Sequence, residues 1–189
     1  MRYSSSHKEE TRRKLIESSR AIAKEDGFAS TSVDALMASV GLTGGAFYNH
    51  FPSKQALFDA LIGEEASNSA DLLAVDNGTP GGDLGKRLRS YLSTYHALHP
   101  ESGCALPTLG PEIARATPAA RNEVEKSLKR IQKSWSAHID EPDAAWAVMA
   151  QCVGALLLAR TVESERTRRE ILSSSRRFLG EALGIDTLK

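Results

Sequence analysis

The stretch Gly41–Lys54, GLTGGAFYNHFPSK, sets two adjacent glycines near the start of a short helical segment and follows them with an aromatic, an Asn, a His and a Lys. Adjacent glycines destabilise a helix interior by roughly 1 kcal/mol each relative to Ala. They point to a requirement other than helix stability: something must approach the backbone so closely that side chains would obstruct it. At about 100° per residue, with Thr43 as origin, Gly44, Gly45 and Tyr48 fall on one arc and Ala46, Phe47 and His50 on the opposite one. The pattern predicts Ala46 and Phe47 packed inward, with both glycines and Tyr48 facing out.

Reading outward from this stretch, helical periodicity dominates and strand alternation is nowhere convincing. A first helix is expected from about His7 to Asp26, with Leu15, Ile16, Ser19, Ile22 and Ala23 on one stripe, Gly27 as its stop and Phe28 as a core plug. A second starts at Thr31 or Ser32, with Thr31 and Asp34 spaced as a weak capping box. Its apolar positions are Val33, Leu36, Met37 and Val40, and Gly41 ends it. Thr43 is the expected cap of a third helix reaching His50 or Phe51. Pro52 stops that helix and Ser53 caps a fourth, which runs to about Leu73.

Asp76–Asp83, DNGTPGGD, reads as a linker. A fifth helix to about Leu98 precedes HPESGCALPTLGPE, whose prolines and glycines predict only short helical turns. Thr117-Pro118 is a cap followed by proline at the first helical position. The helix it opens carries Val124, Leu128, Ile131, Trp135 and Ile139 on one stripe. DEPD breaks the chain before an apolar helix over Ala145–Val162, and a last helix runs from about Ser164 to Gly184 with Ile171, Leu172, Phe178, Leu179 and Leu183.

The 189 residues carry 41% hydrophobic side chains, enough for a substantial core, and no net charge. That neutrality hides an asymmetry, since the first 24 residues hold seven Lys/Arg against three Glu. The N-terminus lacks the apolar segment of a secretory signal, and the two cysteines, Cys104 and Cys152, form no disulfide framework. A soluble cytoplasmic location is expected. The apolar helix over Ala145–Val162 is interrupted by Gln151 and Arg160, so it reads as a core helix rather than a membrane span.

Two short helices around a tight glycine turn, behind a basic helix, suggest a helix-turn-helix that sets its second helix in the DNA major groove. Gly41, Thr43, Gly45, Tyr48, His50, Phe51, Ser53 and Lys54 match the pattern of the DNA-binding head of TetR-family transcriptional regulators. The resemblance covers roughly residues 8–60. It implies an all-α protein with a three-helix DNA-binding head over 1–56 and a helical effector-binding and dimerisation domain over 57–189. It further implies phosphate contacts from Thr31, Ser32, Thr43, Asn49, His50 and Lys54, with phosphate or minor-groove contacts from Arg12. Gly44, Gly45 and Tyr48 are expected at base edges. Gly44 departs from the larger polar residue common in relatives, and Met37 from the usual Ala.

The partners implied are a palindromic duplex operator, a second copy of the chain and a small-molecule effector, with no membrane, and the outcome implied is repression. Ala147, Ala150, Gly154 and Leu158 form a low strip on the apolar helix where a second copy's helix fits, the last two helices and their copies making a four-helix interface. Tyr91, Tyr95, His96, Cys104, Leu106, Leu109, Trp135, Met149 and Cys152 are the candidate effector residues, each of which is equally a core residue by type. Cys104, in SGCALPT, is a candidate sensor of electrophiles or oxidants, provided that its pKa is lowered. His96 and His99 share a helical face, but Pro100 follows and no third ligand stands at a characteristic spacing, so no metal or cofactor is expected. No nucleophile elbow or phosphate loop marks an enzyme.

Overall fold

A computed structural model of the chain describes residues 5–75, 83–139, 141 and 143–188, and every regular element among them is helical. The expected linker lies outside the described residues except for Asp83, as do Asp140 and Pro142 of DEPD.

Helix α1 (Ser5–Asp26) buries Leu15, Ile16, Ser19 and Ala23 along one stripe and stops at Gly27, whose φ of 81° suits a residue without Cβ. Phe28 then turns into the core. Of the two candidate caps for α2 (Val33–Ala38), Ser32 takes the role, its side chain accepting from the Ala35 amide. The expected box between Thr31 and Asp34 does not form, because the Thr31 hydroxyl donates instead to the Gly27 carbonyl at 3.0 Å. Gly41 reverses the chain at a φ of 72°.

The segment Gly44–Asn49 is a 3-10 helix rather than the expected α-helix, and Thr43 occupies its N-cap without a side-chain hydrogen bond. Two glycines at one end and Pro52 beyond the other leave too few good helix formers for the α form. Ser53 caps α3 (Lys54–Leu73) by accepting from the Ala56 amide.

In the body, the single helix expected up to Leu98 is two, α4 (Leu84–Tyr91) and α5 (Thr94–Leu98). The break falls at Leu92-Ser93, where the Ser93 hydroxyl accepts from the His96 amide and restarts the chain as a cap. A 3-10 turn (Pro100–Ser102) leads to α6 (Leu106–Ile113), a longer helix than the prolines suggested. Pro107 sits in its first turn, where an amide is not needed. Thr117 and Ser164 cap α7 (Pro118–Ser136) and α9 (Glu165–Ala182), between which runs α8 (Ala144–Thr161).

Helix α3 packs on α7 and α8 on α9. One apolar cluster joins α1, α2, the 3-10 helix, the first half of α3, α6 and the start of α7; the other joins the end of α3 to α4, α7, α8 and α9. The expected boundary at residues 56 and 57 thus lies inside α3, a helix common to both clusters. Helix α8 has the length and apolarity of a bilayer span, but Ala145, Val148, Met149, Cys152, Ala155, Leu156 and Ala159 face the core of its own chain. Its other face stays open, with Trp146, Leu157 and Leu158 exposed. Phe178 of α9 does not join the core of the chain with Leu172 and Leu179: it is 61% exposed.

Gly103 shows how tightly the loop before α6 is held, since a Cβ there would lie 2.2 Å from His96 Nε2. Gly103→Ala is expected to lower unfolding free energy by about 1–3 kcal/mol through overpacking. Gly110, whose Cβ would meet nothing within 4 Å, lies inside α6. Gly110→Ala is expected to be neutral or to stabilise by up to about 1 kcal/mol. Denaturant titration of the two variants checks the contrast, and equal midpoints would contradict it.

Candidate nucleic-acid interface

The head core that carries the surface is Phe47, Phe51, Leu36, Met37, Leu57 and Phe28, all buried. Phe47 and Phe51 stack with centroids 6.0 Å apart, and Tyr48 stands edge-on to Phe47 at 5.5 Å with its own ring 69% exposed. The aromatic anchors therefore fix the short helix while Tyr48 projects away from it. A Cβ on Gly45 would meet nothing within 4 Å, so this glycine faces open space as expected. Gly44 does not: its Cβ would lie 1.8 Å from Asp34 Oδ1, so the missing side chain there makes room for α2.

The polar candidates divide by how they are engaged. Thr43 and Asn49 are exposed. Arg12 lies over the Phe51 ring at 4.1 Å, and neither it nor Lys8 forms an ion pair among the described residues, unlike Lys14 with Glu10 and Arg13 with Glu17. His50 Nδ1 is buried without a hydrogen-bond partner, and burial, then Lys8, Arg12 and His7, hold the ring below its usual pKa. This corner is short of an anion. Ser32 is occupied by capping and Thr31 by the Gly27 carbonyl. Lys54 donates to the Ala29 carbonyl at 3.0 Å and lies 4.9 Å over the Phe28 ring, and burial lowers its pKa. Lys54 thus braces the loop between α1 and α2, with its further N–H donors left for another acceptor.

The head is tied to the body by residues that local sequence patterns did not single out. Glu112 on α6 accepts from the Ala29 amide at 2.7 Å and the Phe28 amide at 3.3 Å. Buried Lys24 on α1 pairs with buried Glu65 on α3 at 3.0 Å and donates to the Gly103 carbonyl at 3.1 Å. Glu65 also takes Arg20 Nε at 2.7 Å. Thr117 donates to Asp59 at 2.8 Å. The one available signal was Glu65, a charge on the Leu57, Leu61, Ile62 register of an apolar helix face.

The candidate effector residues fall into three places. Tyr91, His96, Cys104, Met149 and Cys152 come together in the body, with Tyr91 and His96 ring centroids 4.6 Å apart and Cys104 influencing both Tyr91 and Cys152 electrostatically. Trp135 is core, its indole N–H donating to the Leu73 carbonyl at 2.9 Å. Leu109 belongs to the head-side cluster and Leu106 borders both clusters. Tyr95 is on the surface, against His99.

His96 donates from Nδ1 to the Tyr91 carbonyl at 2.8 Å and accepts at Nε2 from the Cys104 amide at 3.0 Å, which fixes it as the neutral Nδ1–H tautomer. With both nitrogens engaged it offers no metal lone pair. Arg160, sequence-read only as an interruption of an apolar helix, donates to the His96 carbonyl at 3.0 Å and to Thr108 at 2.9 Å. Burial raises the Cys104 pKa, opposite to the shift a reactive thiol requires.

A basic helix, a capped second helix, a glycine turn and a short third helix with an outward phenol make a helix-turn-helix head on a helical body. Residues 15–61 match the bacterial regulatory proteins of the tetR family. The head of the chain is thus similar to the DNA-binding head of that family. Over 52 residues it is 40% identical to the HTH-type transcriptional regulator UidR of Escherichia coli K12, covering 28% of this chain and 26% of UidR. Over 67 residues it is 36% identical to the transcriptional repressor AcnR of Corynebacterium diphtheriae, covering 35% of each. The chain thus matches only a quarter to a third of the length of these relatives. A TetR transcriptional regulator from Legionella pneumophila has the same fold over 97% of this chain and 100% of its own, with a TM-score of 0.70 at 17% identity.

Burial is the main cause holding His96 below its usual pKa of 6.5. Between that lowered value and 6.5 the unfolded chain binds the extra proton, so the stabilisation is complete above pH 6.5 and is lost as pH falls through the lowered value. Thermal unfolding between pH 8 and 5 is expected to record this decline. His96→Gln, which does not titrate, is expected to flatten it apart from the share of His50; an unchanged slope would remove His96 as its source.

Proposed function

We propose that the protein is a cytoplasmic transcriptional repressor that binds a palindromic operator as a homodimer and is released by a small-molecule effector. The head over 1–56 reads DNA and the body over 57–189 dimerises and receives the effector. The observation that carries this reading is the Gly45–Tyr48 edge: an open backbone and an exposed phenol on a rigid aromatic anchor, beside Lys8, Arg12 and His50 that lack an anionic partner. Backbone amides and cations of this kind suit phosphates, and the phenol ring suits a thymine methyl. Gly44, turned to Asp34, adds no base contact, so readout leans on Tyr48 and on DNA shape.

The effector region is read as a non-covalent site, because the buried Cys104 thiol is held in its protonated form. Reaction with an electrophile or oxidant then requires the loop around Gly103 to open first. A cavity of about 20 Å³, room for little more than one water, lies between α3, α6 and α7, so a ligand has to widen it.

Binding is tested by fluorescence anisotropy with the duplex flanking the protein's own gene. Affinity is expected to fall by about 10³-fold or more between 50 and 200 mM salt for six or more phosphate contacts. Tyr48→Ala is expected to cost about 1–3 kcal/mol and to narrow the gap between this duplex and a scrambled one. Gly45→Leu is expected to leave thermal stability within about 1 kcal/mol, since its side chain enters open space, while reducing DNA affinity at least tenfold. Full affinity in Gly45→Leu would overturn the interface.

Dimerisation is supported by the open face of α8, where Ala147, Ala150 and Leu158 are exposed and Gly154 has nothing within 4 Å of its Cβ position, next to exposed Phe178 on α9. Sedimentation velocity is expected to give a dimer for the parent and a folded monomer for Leu158→Arg combined with Phe178→Glu, with loss of operator affinity. A double variant that still sediments as a dimer would move the interface elsewhere.

A further inference from the structure

Among the described residues the body contains two poorly satisfied buried hydrogen-bond donors on neighbouring groups: the Tyr91 hydroxyl, which has only a weakly accepting thiol, and Arg160 Nε, which has no partner. Tyr91 is 4% exposed, and its hydroxyl makes no hydrogen bond of ordinary geometry. Its polar neighbours are the Cys104 thiol, a weak partner, and the Arg160 guanidinium. Arg160 uses its two terminal nitrogens on Thr108 and the His96 carbonyl, and its Nε is buried and unpaired. No carboxylate lies within ion-pair distance of Arg160 among the described residues; Glu101 acts on it only from farther off. A half-buried guanidinium without a close counter-ion, beside a buried phenol whose sole partner is a weakly accepting thiol, is a pair of donors suited to an anion.

An apolar space lies on the other side of Cys104 from these donors. The narrow cavity between α3, α6 and α7 is lined by Ile62, Ala66, Leu106, Val124 and Leu128, with Ser69 at its edge. Ser69 and the Leu106 amide both reach the Cys104 sulfur, and the Tyr91 hydroxyl lies on the same sulfur. Cys104 therefore stands between the apolar space and the two donors. The surroundings are biased the same way. The cleft of about 140 Å³ along Tyr91, His96 and Gly103 includes Arg87 and no carboxylate. The cleft on the other side of Arg160 sets Lys24, Arg160 and Arg168 against one acid, Glu25.

We propose that the effector is an amphipathic carboxylic acid, its apolar body widening the cavity between α3, α6 and α7 and its carboxylate accepting from the Tyr91 hydroxyl and Arg160 Nε. This rests on the effector-binding reading of the body. It assigns Tyr91 and Arg160 as the residues that select the charge, a task that bulk apolar lining cannot perform. A neutral isostere of the same shape leaves the guanidinium without a counter-ion and is bound more weakly.

The test is a titration of the full chain by calorimetry with hexanoate, octanoate and benzoate, each against its own primary amide. At least one acid is expected to bind ten times or more as tightly as its amide and to release the protein from operator DNA in anisotropy. Tyr91→Phe removes only a hydroxyl whose partner is a weakly accepting thiol, so it is expected to hold its melting temperature within a few degrees of the parent's while the acid-to-amide ratio falls at least threefold. Arg160→Gln is expected to bring that ratio to about one; where this variant loses its fold, Tyr91→Phe decides. The proposal is overturned if no acid outbinds its amide, or if Tyr91→Phe leaves the ratio untouched. DNA affinity without ligand is measured separately, so a chain that binds acids but no operator refutes the regulator reading and leaves the acid site standing.

Discussion

Two opposite charges that never see water hold the head to the body. Lys24 is 4% exposed and Glu65 3% exposed, and they meet at 3.0 Å where α1 crosses α3. Either charge alone at that depth is several kcal/mol unfavourable, so neither residue is tolerable without the other, and the pair is retained for geometry more than for net stability. Arg20 and the Gly103 carbonyl satisfy the lone pair and proton that the ion pair leaves over. A single ammonium thereby joins the helix behind the DNA-facing surface, the helix leading into the body and the loop that precedes Cys104. An apolar contact would slide; a buried ion pair with directional partners holds one register.

The glycines divide along the same line between register and access. Gly103 is needed because the His96 ring lies where its Cβ would be, Gly44 because Asp34 does, and Gly41 because the chain reverses there at positive φ. These three are internal requirements of the fold. Gly45 has no such neighbour and normal φ, so nothing inside the chain explains it. Gly110 is unconstrained in the same way, and what sets Gly45 apart is its place on the exposed edge beside Tyr48.

Much of the head was legible in the sequence because its signals are local. Ser53 and Thr117 as caps, Gly27, Gly41 and Gly184 as stops, and Leu15, Ile16 and Phe47 as buried anchors all follow from spacing. What was missed is non-local. The break at Ser93 needed knowledge that its hydroxyl would outcompete the backbone ladder; α6 places Pro107 in its first turn, where no amide is needed, and carries Pro111 in its interior while Leu109 and Ile113 anchor its buried face. Glu112 and Lys24 look like ordinary surface charges until their partners, 83 and 79 residues away, are known. The candidate effector set was half resolved for the same reason: aromatic and thiol side chains mark a core equally well, and only the poorly satisfied Tyr91 hydroxyl and Arg160 Nε distinguish a place with chemistry left unspent.

For an event in the body to reach the DNA-facing surface, the two must share an element with more than one arrangement. On the proposed reading helix α3 is the candidate for that element, since Lys54 at its start braces the Ala29 loop, Asp59 holds Thr117 at the start of α7, and Glu65 farther along holds α1. On that reading, a ligand that parts α3 from α6 and α7 would act on the bonds from Glu112 to the Phe28 and Ala29 amides and on Lys54 with its loop. Its leverage is limited by its preference for the widened state over the narrow one, typically 1–3 kcal/mol, which corresponds to a 5–150-fold change in DNA affinity. If the proposed effector enters this cavity, its narrowness has a use: a site already open would bind the ligand tightly in both states and move nothing, whereas one that holds about a single water would bind well only in a widened state.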